Sequence, residues 1–163
     1  EIASCLVGSE MCIRDRHIHI VIVGRRTGYT EKVEQFIKDN GLGERVHIIS
    51  NVPFNDLPAF YQSAEIFVYP SRFEGFGIPI IEALYSGIPV VAATGSCLEE
   101  AGGPDSIYVN PDDITGLADA FKQIYSNSDK RKNMVEKGRE FAKRFSEKQQ
   151  SEEIINIYKK LIR

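Results

Sequence analysis

The chain has 163 residues, 42% of them hydrophobic and 26% charged, which suffices for one globular domain with a buried core. A formal net charge of −3 gives no basic field for a nucleic-acid backbone, and no apolar run approaches the length of a membrane span. Nucleic-acid binding and a bilayer crossing are both excluded as expectations.

The amino-terminal stretch "CLVGSEMCIRDR" (5–16) has neither helical nor strand periodicity and fits no secretory signal. It resembles the translation of a transposase adapter used to prepare sequencing libraries, with the match running from Leu6 into Arg16. On that resemblance residues 1–16 are a non-native leader, and the natural fold starts near His17. Cys5 and Cys12 fall within this leader, which leaves Cys97 alone. No disulfide or metal-ligand set is then expected, and no histidine is spaced to activate Cys97 as a nucleophile.

"HIHIVIVG" (17–24) is a nearly continuous apolar run stopped by glycine, as expected of a strand buried on both faces. A helix is predicted next, capped by Thr30, with Val33, Phe36 and Ile37 on its apolar stripe and "NGLG" (40–43) as its stop. "RVHIIS" (45–50) reads as a second strand. Asn55 or Asp56 then caps a short helix carrying Leu57, Phe60, Tyr61 and Ala64 at helical spacing. "EIFVYPS" (65–71), "GIPVVAAT" (87–94) and "SIYVNP" (106–111) complete the strands. Their alternation with helices predicts a Rossmann-like parallel sheet with helices on both faces. Three packing helices follow, with stripes at Ile114, Leu117, Ala118, Phe121 and Ile124, then Met134, Val135, Phe141 and Ala142, then Ile154, Ile155, Tyr158, Leu161 and Ile162. No linker or repeat divides the chain.

The chemistry concentrates in "EGFGIPIIE" (74–82), between the third of these strands and the next helix. Ligands of parallel α/β sheets sit beyond the carboxyl ends of the strands, where helix N-termini also point. Pro79 suits the first helical turn, since its missing N–H has no partner to lose there. Gly75 and Gly77 allow close approach to the backbone, and the amides of Phe76, Gly77 and Ile78 make an anion seat. Glu82, one turn into the helix, is placed to accept two hydrogen bonds from a vicinal diol such as a ribose. Glu74 faces whatever the anion carries. The same residues also read as an ordinary strand-to-helix turn with capping and solubility roles.

The wider context "FVYPSRFEGFGIPIIEALYSGIPVVAATGSCLEEAGG" resembles the donor-binding core of the retaining glycosyltransferases of GT-B fold, often called family 4. The shared features are the Glu-x7-Glu motif, the P-S-x-x-E-G-F-G-x-P lead-in and the S-G-x-P-V entry to the next strand. The resemblance runs from about His17 to the C-terminus. It implies that Glu74 is catalytic and contacts the donor sugar, and that Glu82 binds the nucleotide ribose. The amides of Phe76, Gly77 and Ile78 would hold sugar and diphosphate. The implied substrate is a nucleotide-diphosphate sugar, with no cofactor and no metal. Departing diphosphate charge would be met by amides and a helix N-terminus in place of a cation.

Further candidates follow the other strands. Ser50, Asn51 and Val52 would border the base by resemblance, although they also read as an ordinary loop. Gly95 and Ser96 lie in a loop that touches the donor or starts a solvated helix with Glu99 and Glu100. Arg25 reaches toward the phosphates or joins a surface pair. His17, His19 and His47 lack metal-ligand spacing and are expected as strand residues with satisfied nitrogens.

The chain departs from the family pattern at its start. Family members carry an N-terminal acceptor-binding domain, and their C-terminal domain begins with a strand not seen here, whose loop supplies basic residues. That first strand belongs at the sheet centre, beside the strand at 65–71. A gap there, or residues near 2–7 filling the slot, is the expectation. The resemblance implies an enzyme of cell-envelope polysaccharide assembly, working in the cytoplasm or against the inner membrane face on an acceptor glycan or lipid-linked glycan. The alternative is a non-catalytic nucleotide-sugar-binding or regulatory module. A nicotinamide-dependent oxidoreductase ranks lower, because "VGRRTG" (23–28) lacks the G-x-G-x-x-G spacing.

Overall fold

The computed structural model describes residues 4–6 and 18–162, whose six strands form one sheet. In chain order the elements are β1 (Ser4–Leu6), β2 (Ile20–Val23), α1 (Thr30–Asp39), β3 (Val46–Ile49), α2 (Leu57–Ser63), β4 (Phe67–Tyr69) and α3 (Ile78–Ser86). They continue with β5 (Val90–Ala93), α4 (Leu98–Gly102), β6 (Ile107–Val109), α5 (Ile114–Ser126), α6 (Ser128–Ala142) and α7 (Glu147–Leu161). Single 3-10 turns at Phe54–Asp56 and Lys143–Phe145 lead into α2 and α7. Apart from Ser4–Leu6, the leader expected over 1–16 lies outside the described residues, as does His17.

The strand order is β3-β2-β1-β4-β5-β6. β2 with β3, β4 with β5, and β5 with β6 pair in parallel, whereas β1 is antiparallel to both of its neighbours. Because β1 opposes both β2 and β4, those two run the same way, and the carboxyl ends of β2 to β6 share one edge. Ser4–Leu6 occupy the central slot beside β4, opposite in direction to the strand that a βα unit would place there.

Alternation along the strands feeds two cores. Phe67, Tyr69, Val90 and Ala92 pack with Ile80, Ala83 and Leu84 of α3, Leu98 and Ala101 of α4, and Ala142 of α6. Val68 and Val91 point to the opposite face, against Ala120, Phe121 and Ile124 of α5 and Met134 of α6. Both faces of β4 and β5 are covered, which is why their sequences read as unbroken apolar runs.

Several boundaries move. Thr30 is the first residue of α1, not its cap: its Oγ1 accepts the Thr27 N–H at 2.9 Å, and Tyr29 holds the capping position without a side-chain bond. Asp56 sits at the N-cap of α2 without bonding it, because the preceding 3-10 turn runs straight into the helix. β4 stops at Tyr69, since Pro70 has no N–H to extend a ladder. Phe36 is exposed while Ile37 is buried, so the stripe of α1 is narrower than its spacing suggests. In α7 the stripe from Ile154 to Ile162 is exposed along its length. Apolar spacing reports a buried face only where another element lies over it, and α7 has no buried residue.

Candidate functional site

Glu74 lies in the loop from β4 to α3, half-buried. Its Oε1 accepts hydrogen bonds from Tyr69 Oη at 2.6 Å and Ser71 Oγ at 2.9 Å. Its carbonyl accepts from the Cys97 thiol at 3.1 Å, which ties the loop to the start of α4. Cys97 is thus a loop residue with a structural contact. A carboxylate held by two hydroxyls at one oxygen keeps the other for a ligand.

Gly77 caps α3 in the left-handed region at φ 105°, and Pro79 stands in the first turn. A Cβ on Gly77 would lie 2.9 Å from Leu98 Cδ2 and 3.3 Å from Ala101 Cβ, so both the backbone angle and the packing of α4 require glycine. At Gly75, by contrast, a Cβ would meet nothing within 4 Å, and the backbone is open to an approaching group. The amides of Phe76, Gly77 and Ile78 donate no hydrogen bond among the described residues. They stand at the positive end of a helix, which suits an anion. The Phe76 ring turns away and meets Phe145 edge-on at 5.5 Å, anchoring the seat to the C-terminal turn.

Glu82 projects from the second turn of α3 and is half-buried. Its Oε2 accepts from Tyr61 Oη of α2 at 2.9 Å. Burial, and then the adjacent Glu82 charge, push the Tyr61 hydroxyl well above its ordinary pKa, so it stays a donor. Tyr61 packs on Phe67 at 5.4 Å and Phe67 on Tyr69 at 5.9 Å, so one aromatic row joins the partners of the two glutamates.

The shared edge brings the remaining candidates to the same side. Ser50 Oγ is buried and has no hydrogen-bond partner among the described residues, a state that costs free energy unless something satisfies it. Asn51, beside it, has φ 61°, a left-handed conformation that asparagine tolerates better than most side chains. Val52 continues this loop, half-buried. Arg26 pairs with Glu34 at 2.7 Å, whereas Arg25 is exposed and has no partner among the described residues. Gly95 donates its amide to Glu99 at 3.1 Å, and Ser96 Oγ accepts the Leu98 amide at 3.4 Å, so both are engaged inside the turn that starts α4. His19 Nδ1 and His47 Nε2 lie 3.0 Å apart and share one hydrogen bond; His47 is in β3 as expected, whereas His19 lies just before β2. Among the described residues no three His, Cys, Asp or Glu side chains are grouped as metal ligands, and no helix is long and apolar enough to cross a membrane.

Two exposed carboxylates brace the loops around this edge. Arg72, in the loop before α3, forms a two-bond pair with Asp112, beyond β6, through Nη1 at 2.9 Å and Nη2. That guanidinium holds Asp112 below the usual carboxylate range, and the Thr94 hydroxyl, then the Gly95 amide, do so for Glu99. A lowered pKa in the folded state means that the stabilisation is complete above the ordinary value and is lost as pH falls through the folded one. Amide-exchange protection of Gly95 is therefore expected to stay constant from pH 8 to 6 and to fall below about pH 4. Protection unchanged to pH 3 would contradict the Glu99 brace.

The sequence singled out the two glutamates, the glycines and the amides between them. It did not assign Tyr61, Tyr69, Ser71 or Arg72 to the site. Tyr61 and Tyr69 stood in the sequence as core positions, and their signal was the polar tip that a buried tyrosine must satisfy.

The family model described as "Glycosyl transferases group 1" matches residues 9–141. The chain is 33% identical over 143 residues to the O-antigen chain mannosyltransferase B of Escherichia coli, covering 87% of this chain and 37% of that protein. It is 31% identical over 153 residues to the MMP alpha-(1->4)-mannosyltransferase of Mycolicibacterium hassiacum, covering 91% of this chain and 36% of that protein. Among solved structures, the C-terminal domain of a glycosyl transferase group 1 family protein from Francisella tularensis matches with a TM-score of 0.68 at 27% identity, over 76% of this chain and 67% of that one. The chain spans a little over a third of the length of the two mannosyltransferases.

Proposed function

This chain belongs to the group 1 glycosyl transferases, and from that premise we propose that it is the donor-binding domain of a retaining enzyme. The enzyme moves a hexose from a nucleoside diphosphate to an acceptor hydroxyl, without a metal. The observation that carries the reading is the glycine-capped start of α3, whose amides have no hydrogen-bond partner among the described residues. It sits between two carboxylates each held at one oxygen. The amides receive the diphosphate and offset its growing charge as the sugar leaves. Glu82 Oε1 accepts from the ribose diol, and Glu74 Oε2 contacts the sugar. The buried Ser50 hydroxyl, without a partner among the described residues, supports placing the base against Ser50, Asn51 and Val52.

The acceptor site belongs, on this reading, to the remainder of a longer protein, and the 163-residue chain binds donor without transferring it. The antiparallel fit of Ser4–Leu6 in the central slot supports the reading of those three residues as foreign to the domain. The O-antigen relative supports a role in envelope polysaccharide assembly.

The test is Glu82→Ala in the full-length enzyme, with UDP and GDP affinity measured by calorimetry. Loss of a hydrogen-bonded charge predicts affinity weaker by about tenfold or more for whichever of the two the unaltered protein binds. Unaltered affinity would remove Glu82 from the ribose. Binding by the unaltered protein without transfer of any sugar would favour the regulatory module.

A further inference from the structure

Tyr61 and Tyr69 lie outside the stretch from Glu74 to Glu82, yet each directs its hydroxyl at one of the two carboxylates. Tyr69 Oη and Ser71 Oγ both donate to Glu74 Oε1, and Tyr61 Oη donates to Glu82 Oε2. In each case the second oxygen, Glu74 Oε2 or Glu82 Oε1, has no hydrogen bond among the described residues. The fully buried Phe67 ring stands between the tyrosines, tilted 58° to Tyr61 and 17° to Tyr69. The row crosses from α2 through β4 and is packed into the core that also holds α3.

We infer that Tyr61 and Tyr69, linked through Phe67, are positioning residues that fix the rotamers of Glu82 and Glu74 and so aim one free oxygen of each at the donor. The inference rests on the reading of those glutamates as donor contacts. The physical ground is that a free glutamate has three side-chain torsions, and transition-state contacts tolerate displacements of only a few tenths of an ångström. A phenol donor pins the carboxylate without cancelling its charge, as an arginine partner would. The raised pKa of Tyr61 keeps that donor protonated across the neutral range. A buried tyrosine that merely satisfies its own hydroxyl would show the same contact, so the test must separate ribose binding from chemistry.

The experiment compares Tyr61→Phe and the double variant Tyr69→Phe with Ser71→Ala in the full-length enzyme, with Tyr125→Phe on the exposed side of α5 as the control. Each phenylalanine keeps its ring packing, and ligand-free thermal melting checks that the fold persists. Tyr61→Phe is expected to raise donor KM and the Kd for the nucleoside diphosphate about tenfold with kcat within about twofold. The double variant is expected to lower kcat about tenfold with that Kd within about twofold. Wild-type constants for both variants, or the same uniform loss in both, would overturn the inference while leaving the donor reading intact. An unaltered enzyme that binds none of UDP, GDP, ADP and dTDP would overturn the donor reading, and the inference with it.

Discussion

Glu74→Gln in the full-length enzyme is expected to lower kcat by about a hundred- to a thousandfold, with nucleoside diphosphate affinity within about twofold of the unaltered protein. Glutamine keeps the size of the side chain and an oxygen to accept from Tyr69 and Ser71, so the loop from β4 to α3 retains its internal bonds. What disappears is a full negative charge beside the sugar, where positive charge grows as the bond to diphosphate breaks. Because that interaction strengthens in the transition state, its loss falls on kcat and not on ground-state binding. Steady-state kinetics at saturating acceptor, with calorimetry on the nucleotide, separates the two. A fall in kcat smaller than about threefold would withdraw the catalytic assignment.

Gly77→Ala is expected to destabilise the fold by roughly 3 kcal/mol, seen as a lower urea midpoint with an unchanged slope. Two costs combine. At φ 105° an L side chain collides with its own backbone, which alone costs about 1–2 kcal/mol. The new methyl also meets Leu98 Cδ2 at 2.9 Å and Ala101 Cβ at 3.3 Å, both in the buried core, which adds about 1–3 kcal/mol. Gly75→Ala provides the contrast. Its Cβ would stand in open space, so its effect on the midpoint should stay within about 0.5 kcal/mol. Equal losses at the two glycines would show that loop flexibility, and not the cap geometry of α3, is what glycine supplies here.

Much of the site was legible because its determinants are local. A glycine before a proline at a helix start, and a carboxylate one turn further on, follow from φ preferences and a period of 3.6 residues. The structure places Gly77, Pro79 and Glu82 as that logic requires. The strands were legible for the same reason, since short apolar runs closed by Gly or Pro mark buried parallel strands whatever their order. Errors fell at the ends and on the surface. Thr30 was read as a cap when Thr27 and Tyr29 already form the turn, and α7 was read as packed when its stripe is exposed.

By itself, then, the sequence determined the class of the domain, the alternation of its strands and helices, and the glycine-capped helix start that stands between two carboxylates. These depend on torsions and spacings within a few residues. The tertiary structure alone decided which oxygen of each glutamate is held by a neighbouring hydroxyl. That is set by Tyr61, which meets Glu82 across 21 positions of chain, and by the packing of Phe67 against both tyrosines. It also decided that Ser4–Leu6 run antiparallel at the sheet centre, and that Arg72 reaches Asp112 across 40 positions. Contacts of this kind depend on how distant segments pack, and no local pattern in the chain encodes them.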